Sequence, residues 1–191
     1  YRRVMTITFH PDGRVTGNKL KQSGMILKVQ SDEIYQTTAY GASSNAYQSI
    51  DNKNFVTEGT NSNLLVQVEI NGAITGSANA DRNFKMDYNV AGGSYTDLNY
   101  NTVNTNGNNS NNMFGNVRGD SCQNGGINIF TTFLLVGNGI WTAGQTLNFR
   151  LFTIGESTFA MNIAYSDGAS VGSPSRFGRA VSKIQFTEIS T

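Results

Sequence analysis

The sequence predicts an all-β fold, an antiparallel β-sandwich of jelly-roll type preceded by an N-terminal hairpin. Asn, Gly, Ser and Thr make up 81 of the 191 residues, and these types favour turns and strand edges over helix interiors. The apolar residues form short islands, several of which alternate with the period of two that is typical of half-buried strands. Turn-forming residues recur roughly every 8 to 20 positions, and no segment has the pattern of an amphipathic helix.

The chain opens with a predicted hairpin. Val4–Phe9 alternates like a strand, Pro11-Asp12-Gly13 has a turn sequence, and Arg14–Thr16 is the return strand. A polar connector follows. We therefore expect residues 1–23 to form a hairpin and connector, and residues 24–191 to form the sandwich domain.

The predicted strands of the sandwich are defined by alternation or by apolar runs. In chain order they are Met25–Gln30, Ile34–Tyr40, Leu64–Ile70, Phe84–Tyr88, Ile127–Val136, Thr146–Ile154, Phe159–Tyr165 and Ala180–Ile189. Asn71-Gly72 is a typical hairpin turn sequence and is predicted to end the third of these strands. With the hairpin, about nine to eleven strands are expected, which is typical of a sandwich or jelly roll.

Composition excludes several classes of function. Lys and Arg number 14 against 13 acidic residues, and this near-neutral balance gives no basis for binding nucleic acid. No apolar run approaches the roughly 18 residues that a membrane-spanning helix needs, so no membrane insertion is expected. We expect no internal disulfide, because Cys122 is the single cysteine.

Residues for catalysis or for cofactor binding are also scarce. His10 is the single histidine and lies beside the predicted turn, so neither a zinc site nor a histidine-dependent nucleophile is expected. The glycines lie at turns and form no phosphate-binding loop. Paired carboxylates of a glycosidase could meet only in the fold and stay an open alternative. We predict no catalytic, metal-binding or cofactor-binding residues, and hence no enzyme.

One segment differs from the rest in composition. Residues 99–112 are dominated by asparagine, which both donates and accepts hydrogen bonds, and tyrosines nearby offer ring faces for stacking. The segment is either a solvated surface loop or a recognition loop. On the second interpretation the contact residues are Tyr95, Tyr100, Asn104, Asn106 and Asn108. Trp141 is a core anchor beside a turn or, alternatively, a platform for a sugar ring.

Four stretches resemble a known family when taken in order. Gly24–Gln30 is similar to an opening of the form Gly-x-Ile-Leu-x-Val, and Asn61–Val68 resembles a Ser-Ser-Lys-Ile-Leu-Val strand, with Asn63 in place of the lysine. Phe159–Asn162 fits an aromatic-x-x-Asn step, and Arg179–Ile189 resembles the ending Arg-x-Val-Ser-x-Ile-x-x-x-Glu-Ile. This order resembles a C-terminal β-sandwich domain of tail-fibre and other virion surface proteins of tailed phages, notably marine phages and cyanophages.

The resemblance implies a virion structural protein without catalytic residues. On this basis we expect a location on the virion surface, other virion proteins as partners, a homotrimer, and a host surface glycan or protein as the receptor of a tail-fibre or spike module. The hairpin would then dock the domain onto a shaft or capsid. The alternatives are a capsid decoration protein of the same fold that stabilises the shell, and a bacterial surface adhesin or lectin-like domain.

Overall fold

A computed structural model of the chain describes residues 7–9, 15–17, 23–35, 38–75, 81–98, 113–118, 125–156, 158–162 and 181–191. These residues form strands and turns only. The strands are β1 (Ile7–Phe9), β2 (Val15–Gly17), β3 (Ile26–Ile34), β4 (Ala39–Tyr40), β5 (Ser43–Val56), β6 (Asn63–Thr75), β7 (Asp81–Val90), β8 (Thr96–Asp97), β9 (Met113–Arg118), β10 (Gly125–Val136), β11 (Thr146–Gly155), β12 (Thr158–Met161) and β13 (Ser182–Ile189). The prediction of an all-β, antiparallel fold is confirmed.

The first sheet, sheet I, is built around the long strand β6. One side of β6 pairs with β10 over its whole length. Its other side pairs first with β13 and then with β12, and β3 and β4 lie beyond these two. Sheet I is therefore four strands wide, with β10 at one edge and β3 and β4 sharing the other.

The second sheet, sheet II, has β11 at its centre. β11 pairs with β5 on one side and with β7 on the other, and β7 in turn pairs with both β8 and β9. Buried and partly buried residues alternate along β11, with Leu147, Phe149 and Leu151 inside, as their spacing predicts.

The two sheets pack face to face through aromatic rings. Phe186 of sheet I lies with its ring centroid 4.8 Å from that of Phe149 and 5.5 Å from that of Phe55, both in sheet II. Phe84 of sheet II meets Phe159 of sheet I edge to face at 5.2 Å. Such tilted and edge-to-face pairs add to the free energy of apolar burial, so this row of rings forms the centre of the sandwich.

A buried arginine joins three elements of sheet II. Arg82 donates from Nε to the Thr153 hydroxyl at 2.9 Å, from Nη2 to the Gln48 side chain at 2.8 Å, and from Nη1 to the Gly41 carbonyl at 3.0 Å. Burial lowers the pKa of Arg82 to about 10, which still leaves the guanidinium charged at neutral pH. Its hydrogen bonds offset part of the cost of enclosing that charge.

The predicted hairpin contains an antiparallel pair at its expected position. β1 and β2 pair from Ile7 with Gly17 to Phe9 with Val15. The division at residue 23 and the docking role of the hairpin stay predictions.

Two strand predictions are wrong in detail, and one strand was missed. Asn71-Gly72 is not a turn, since β6 continues through it to Thr75. Gly72 is required there for close packing, because a Cβ atom would lie 2.3 Å from the Phe159 ring and 2.6 Å from the Ala160 carbonyl oxygen. The segment predicted as one strand from Ile34 to Tyr40 is divided between the end of β3 and the short β4. The 14-residue strand β5 was not predicted at all.

Candidate functional site

The one predicted contact residue that the structure describes is Tyr95, immediately before β8. Its side chain is 40% exposed, and its ring lies over the Arg150 guanidinium, with Cζ 3.3 Å from the ring centroid. Tyr100, Asn104, Asn106 and Asn108 lie outside the described residues. The candidate site is therefore the surface around Tyr95.

Arg150 is held in place by Asp87, its partner across the β7–β11 pair. Two parallel hydrogen bonds join them, Nε to Oδ1 at 2.8 Å and Nη2 to Oδ2 at 2.6 Å. The hydrogen bonds to Asp87 raise the pKa of Arg150, and the Asp87 carboxylate is itself buried. A two-point contact of this kind fixes the plane of the guanidinium, and hence the plane on which Tyr95 stacks.

A second charged pair and two more rings extend the site. Lys85 binds Asp97 at 2.6 Å and lies 5.1 Å from the centroid of the Tyr47 ring. Tyr47 is 41% exposed and meets Phe152 edge to face at 6.2 Å. We call this surface of sheet II the Tyr95 face and define it by seven residues: Tyr47, Lys85, Asp87, Tyr95, Asp97, Arg150 and Phe152.

A row of asparagines borders the Tyr95 face. Asn54, Asn148 and Asn89 lie next to one another across β5, β11 and β7. Asn148 donates to the Asn89 side-chain oxygen at 2.7 Å, which orients both amides. Amides and partly exposed ring faces are the groups with which proteins bind neutral, hydroxyl-rich molecules and the polar parts of protein surfaces.

Sequence analysis missed most of the Tyr95 face. The alternation of β11 was recognised, but only for its inward residues. The same alternation places Arg150 and Phe152 at the outward positions of this strand, and these two residues belong to the face. The partners Asp87 and Lys85 follow from the same alternation in β7.

Trp141 is a core anchor and does not form a sugar platform. It is 2% exposed, and its indole Nε1 donates to the Ser62 hydroxyl at 3.0 Å. Ser62 in turn donates to the fully buried Glu188 carboxylate. Glu188 also accepts from the backbone amides of Glu58 and Gly59, at 2.8 and 2.9 Å, and so connects the β5–β6 turn to β13.

A second enclosed network lies at the other end of β13. The Asn162 side-chain oxygen accepts from the Ser182 backbone amide and hydroxyl, both at 2.7 Å, and its amide donates to the Ile34 carbonyl. Ser182 also accepts from the Asn71 backbone amide at 2.9 Å. Ser62, Asn162, Ser182 and Glu188 are four polar residues of the segments that resemble the phage family, and all four are buried within the fold.

The described residues contain no group of three or more His, Cys, Asp or Glu side chains placed to bind a metal ion. His10 and Cys122 lie outside them. A search of the same residues finds no helix with the length and apolar character needed to cross a membrane.

Neither the family models nor the curated proteins contain a match to this chain. Solved structures of infectious bursal disease virus are similar in backbone, at 9% sequence identity in each case. The Gt strain structure gives a TM-score of 0.44 over 98% of this chain and 43% of that chain. The Gx strain structure and the VP2 subviral particle give TM-scores of 0.42 over 97% of this chain and 46% of theirs.

This chain spans less than half the length of the solved chains that it matches. At such TM-scores the likeness supports no conclusion about this protein. The fold described above depends on its own strand pairing.

Proposed function

We propose that the chain is a structural protein on the surface of a tailed-phage virion, without catalytic activity, and that its Tyr95 face binds a host surface glycan or protein. The phage-type segments in the sequence support the virion assignment. The observation that carries the binding role is the Tyr95 face itself, where exposed rings are held in fixed orientation by paired charges.

The charge balance of the face favours a neutral ligand. Arg150 is paired with Asp87 and Lys85 with Asp97, so the four charges cancel. A charged ligand would have to displace one of these pairs, whereas a neutral glycan can stack on Tyr95 and Tyr47 without disturbing them. We therefore place an uncharged surface polysaccharide first among the receptors.

The test compares binding of the purified chain to an array of bacterial surface polysaccharides and to intact host cells. Tyr95→Ala should weaken binding about tenfold, the effect of losing one stacked ring. Tyr35→Ala is the matched control, since Tyr35 is 73% exposed but lies at the end of β3 in sheet I. Binding to cells but to no polysaccharide would indicate a protein receptor.

Equal binding by the Tyr95→Ala and wild-type chains would exclude the Tyr95 face as the receptor site. Circular dichroism of each variant verifies that the fold is retained. If Tyr35→Ala weakens binding as strongly as Tyr95→Ala does, the assignment is also contradicted, because the loss of binding is then not specific to the Tyr95 face.

Capsid decoration is a second candidate, and one observation favours it. Ile26 and Val29 on β3 are 60% and 54% exposed, and apolar side chains on an outer sheet face suit contact with another protein. Antibody labelling of purified virions separates the two candidates. Signal on the head shell supports decoration, and signal on the tail supports receptor binding.

A further inference from the structure

The outer edge of β10 lacks the features that normally protect a sheet edge. β10 pairs with β6 from Gly125 to Val136 without any shift in register, so it contains no bulge. Its sequence has no charged residue and no proline. Among the described residues, no strand pairs with its other side. Soluble proteins usually block such an edge with a lysine, a proline or a bulge, because it can otherwise pair with another chain.

The edge strand β5 of sheet II shows the usual protection. The Lys28 ammonium donates to the Val56 carbonyl at 2.8 Å, and the Gln30 amide donates to the Asn54 carbonyl at 2.9 Å. Side chains of β3 thus occupy carbonyl groups along β5, and Lys53 adds a charge within the strand. Within the described residues, β10 shows no comparable contact.

The exposed side chains of β10 are mostly apolar. Phe130 and Leu134 are each 59% exposed and Val136 is 55% exposed, all on the outer face of sheet I, with the exposed Thr132 between the first two. The edge is about 40 Å long at 3.4 Å per residue. With a depth of roughly one side chain, two such edges would bury on the order of 1,000 Å² in total, the lower limit for a specific interface.

We propose that β10 is a dimerisation edge, which pairs antiparallel with β10 of a second copy about a two-fold axis at Thr132. This register places Phe130 of each copy opposite Leu134 of the other, on either side of a Thr132–Thr132 pair. Aromatic–aliphatic and Thr–Thr neighbours across strands both stabilise antiparallel sheets.

The main chain of β10 is compatible with this register. In this register the numbers of two opposite residues add to 264. An even-numbered residue therefore always lies opposite an even-numbered one, and an odd-numbered residue opposite an odd-numbered one. Residues with edge-facing amides therefore meet others of the same kind, as an antiparallel ladder requires. Copies of the chain do not repel strongly, because the net charge is +1 and β10 itself is uncharged. The β10 edge of a second copy is thus a suitable partner for β10. This proposal does not depend on the assignment of a receptor site to the Tyr95 face.

Light scattering over a concentration series, combined with cross-linking, tests the proposal. The wild-type chain should reach about twice its mass of 20.7 kDa. In a Cys122→Ser background, Thr132→Cys should cross-link to a dimer with a short bismaleimide, because the two side chains would be direct neighbours. Val29→Cys is the control, since Val29 is also exposed on the same face of sheet I but lies on the opposite edge strand.

Lysine variants provide the second measurement. Thr132→Lys places two ammonium groups at the axis, so it should give a monomer that retains its fold by circular dichroism, whereas Val29→Lys should remain dimeric. A monomer at every concentration would overturn the proposal. So would a stable trimer, which is the assembly that the phage resemblance implies, cross-linking through Val29→Cys but not Thr132→Cys, or a Thr132→Lys chain that remains dimeric.

Discussion

At the scale of single residues, burial and hydrogen bonding account for several polar residues in the four segments that resemble a phage virion domain. Glu188 accepts three hydrogen bonds without any exposure to solvent, and Asn162 connects Ser182 to Ile34. These residues lie in the segments that carry the resemblance, but the sequence does not show whether they face a ligand or the interior. The structure places them inside, so the resemblance reflects how the sandwich is held together.

We predict that Glu188→Gln destabilises the fold by about 2 kcal/mol. The amide group would direct N–H donors toward the backbone amides of Glu58 and Gly59, or toward the Ser62 hydroxyl, and would leave a buried donor without an acceptor. Urea denaturation measures the change. Glu58→Gln is the matched control, because the Glu58 side chain is exposed, and the midpoint of this variant should be close to that of the wild type. Equal midpoints for both variants would contradict the structural role of Glu188.

At the scale of strands, alternation in the sequence predicted the elements whose two faces differ in polarity. β11 was recognised because Leu147, Phe149 and Leu151 recur at every second position. β5 was missed because it is mostly polar on both sides and its pairing with β11 is shifted at two places, which breaks the period of two. Asn71-Gly72 has the composition of a turn, and only the approach of Phe159 from β12, distant in sequence, shows why glycine stands there.

Gly72→Ala should therefore destabilise the protein by about 2–3 kcal/mol, as overpacking of a close-packed core does. A Cβ atom at residue 72 can be accommodated only if Phe159 or the β12 backbone moves. Gly41→Ala is the control, because nothing lies within 4 Å of its added Cβ. Thermal unfolding of both variants should show a clear fall in melting temperature for the first and little change for the second; the reverse order would refute the packing argument.

At the scale of the whole molecule, the two outer faces differ in chemistry. The Tyr95 face of sheet II combines rings, amides and paired charges, whereas sheet I exposes apolar side chains such as Val29 and Leu134. From the sequence we could expect Tyr95 to be a contact residue, but not its position over Arg150, because that contact depends on how β7, β8 and β11 lie side by side. The order of the strands in sheet II therefore brings the residues of the Tyr95 face together.

Stability should fall in acid, partly because of Glu69 on the outer face of sheet I. The Asn71 amide, and then Lys183 and the Asn128 amide, hold the pKa of Glu69 below its ordinary value of 4.5. A lowered pKa in the folded state contributes stability above pH 4.5, which is lost as the pH falls through the folded value. Melting temperatures between pH 6 and about pH 3 should decline less steeply for Glu69→Gln than for wild type. Glu156→Gln removes an exposed carboxylate after β11 and is the control, which should follow the wild-type curve. If Glu69→Gln also follows the wild-type curve, Glu69 does not contribute to the loss of stability in acid.

The position of β13 between β3 and β6 has a consequence for how the chain folds during synthesis. β3 obtains its sheet partner only from a strand more than 140 residues later, and Phe186 of that strand fills the middle of the core. The core between the two sheets cannot be completed until residue 189 has left the ribosome. Until then the apolar inner side of β6 is available to other chains, and contacts so distant in sequence form slowly. We expect the nascent protein to depend on chaperones more than its size suggests.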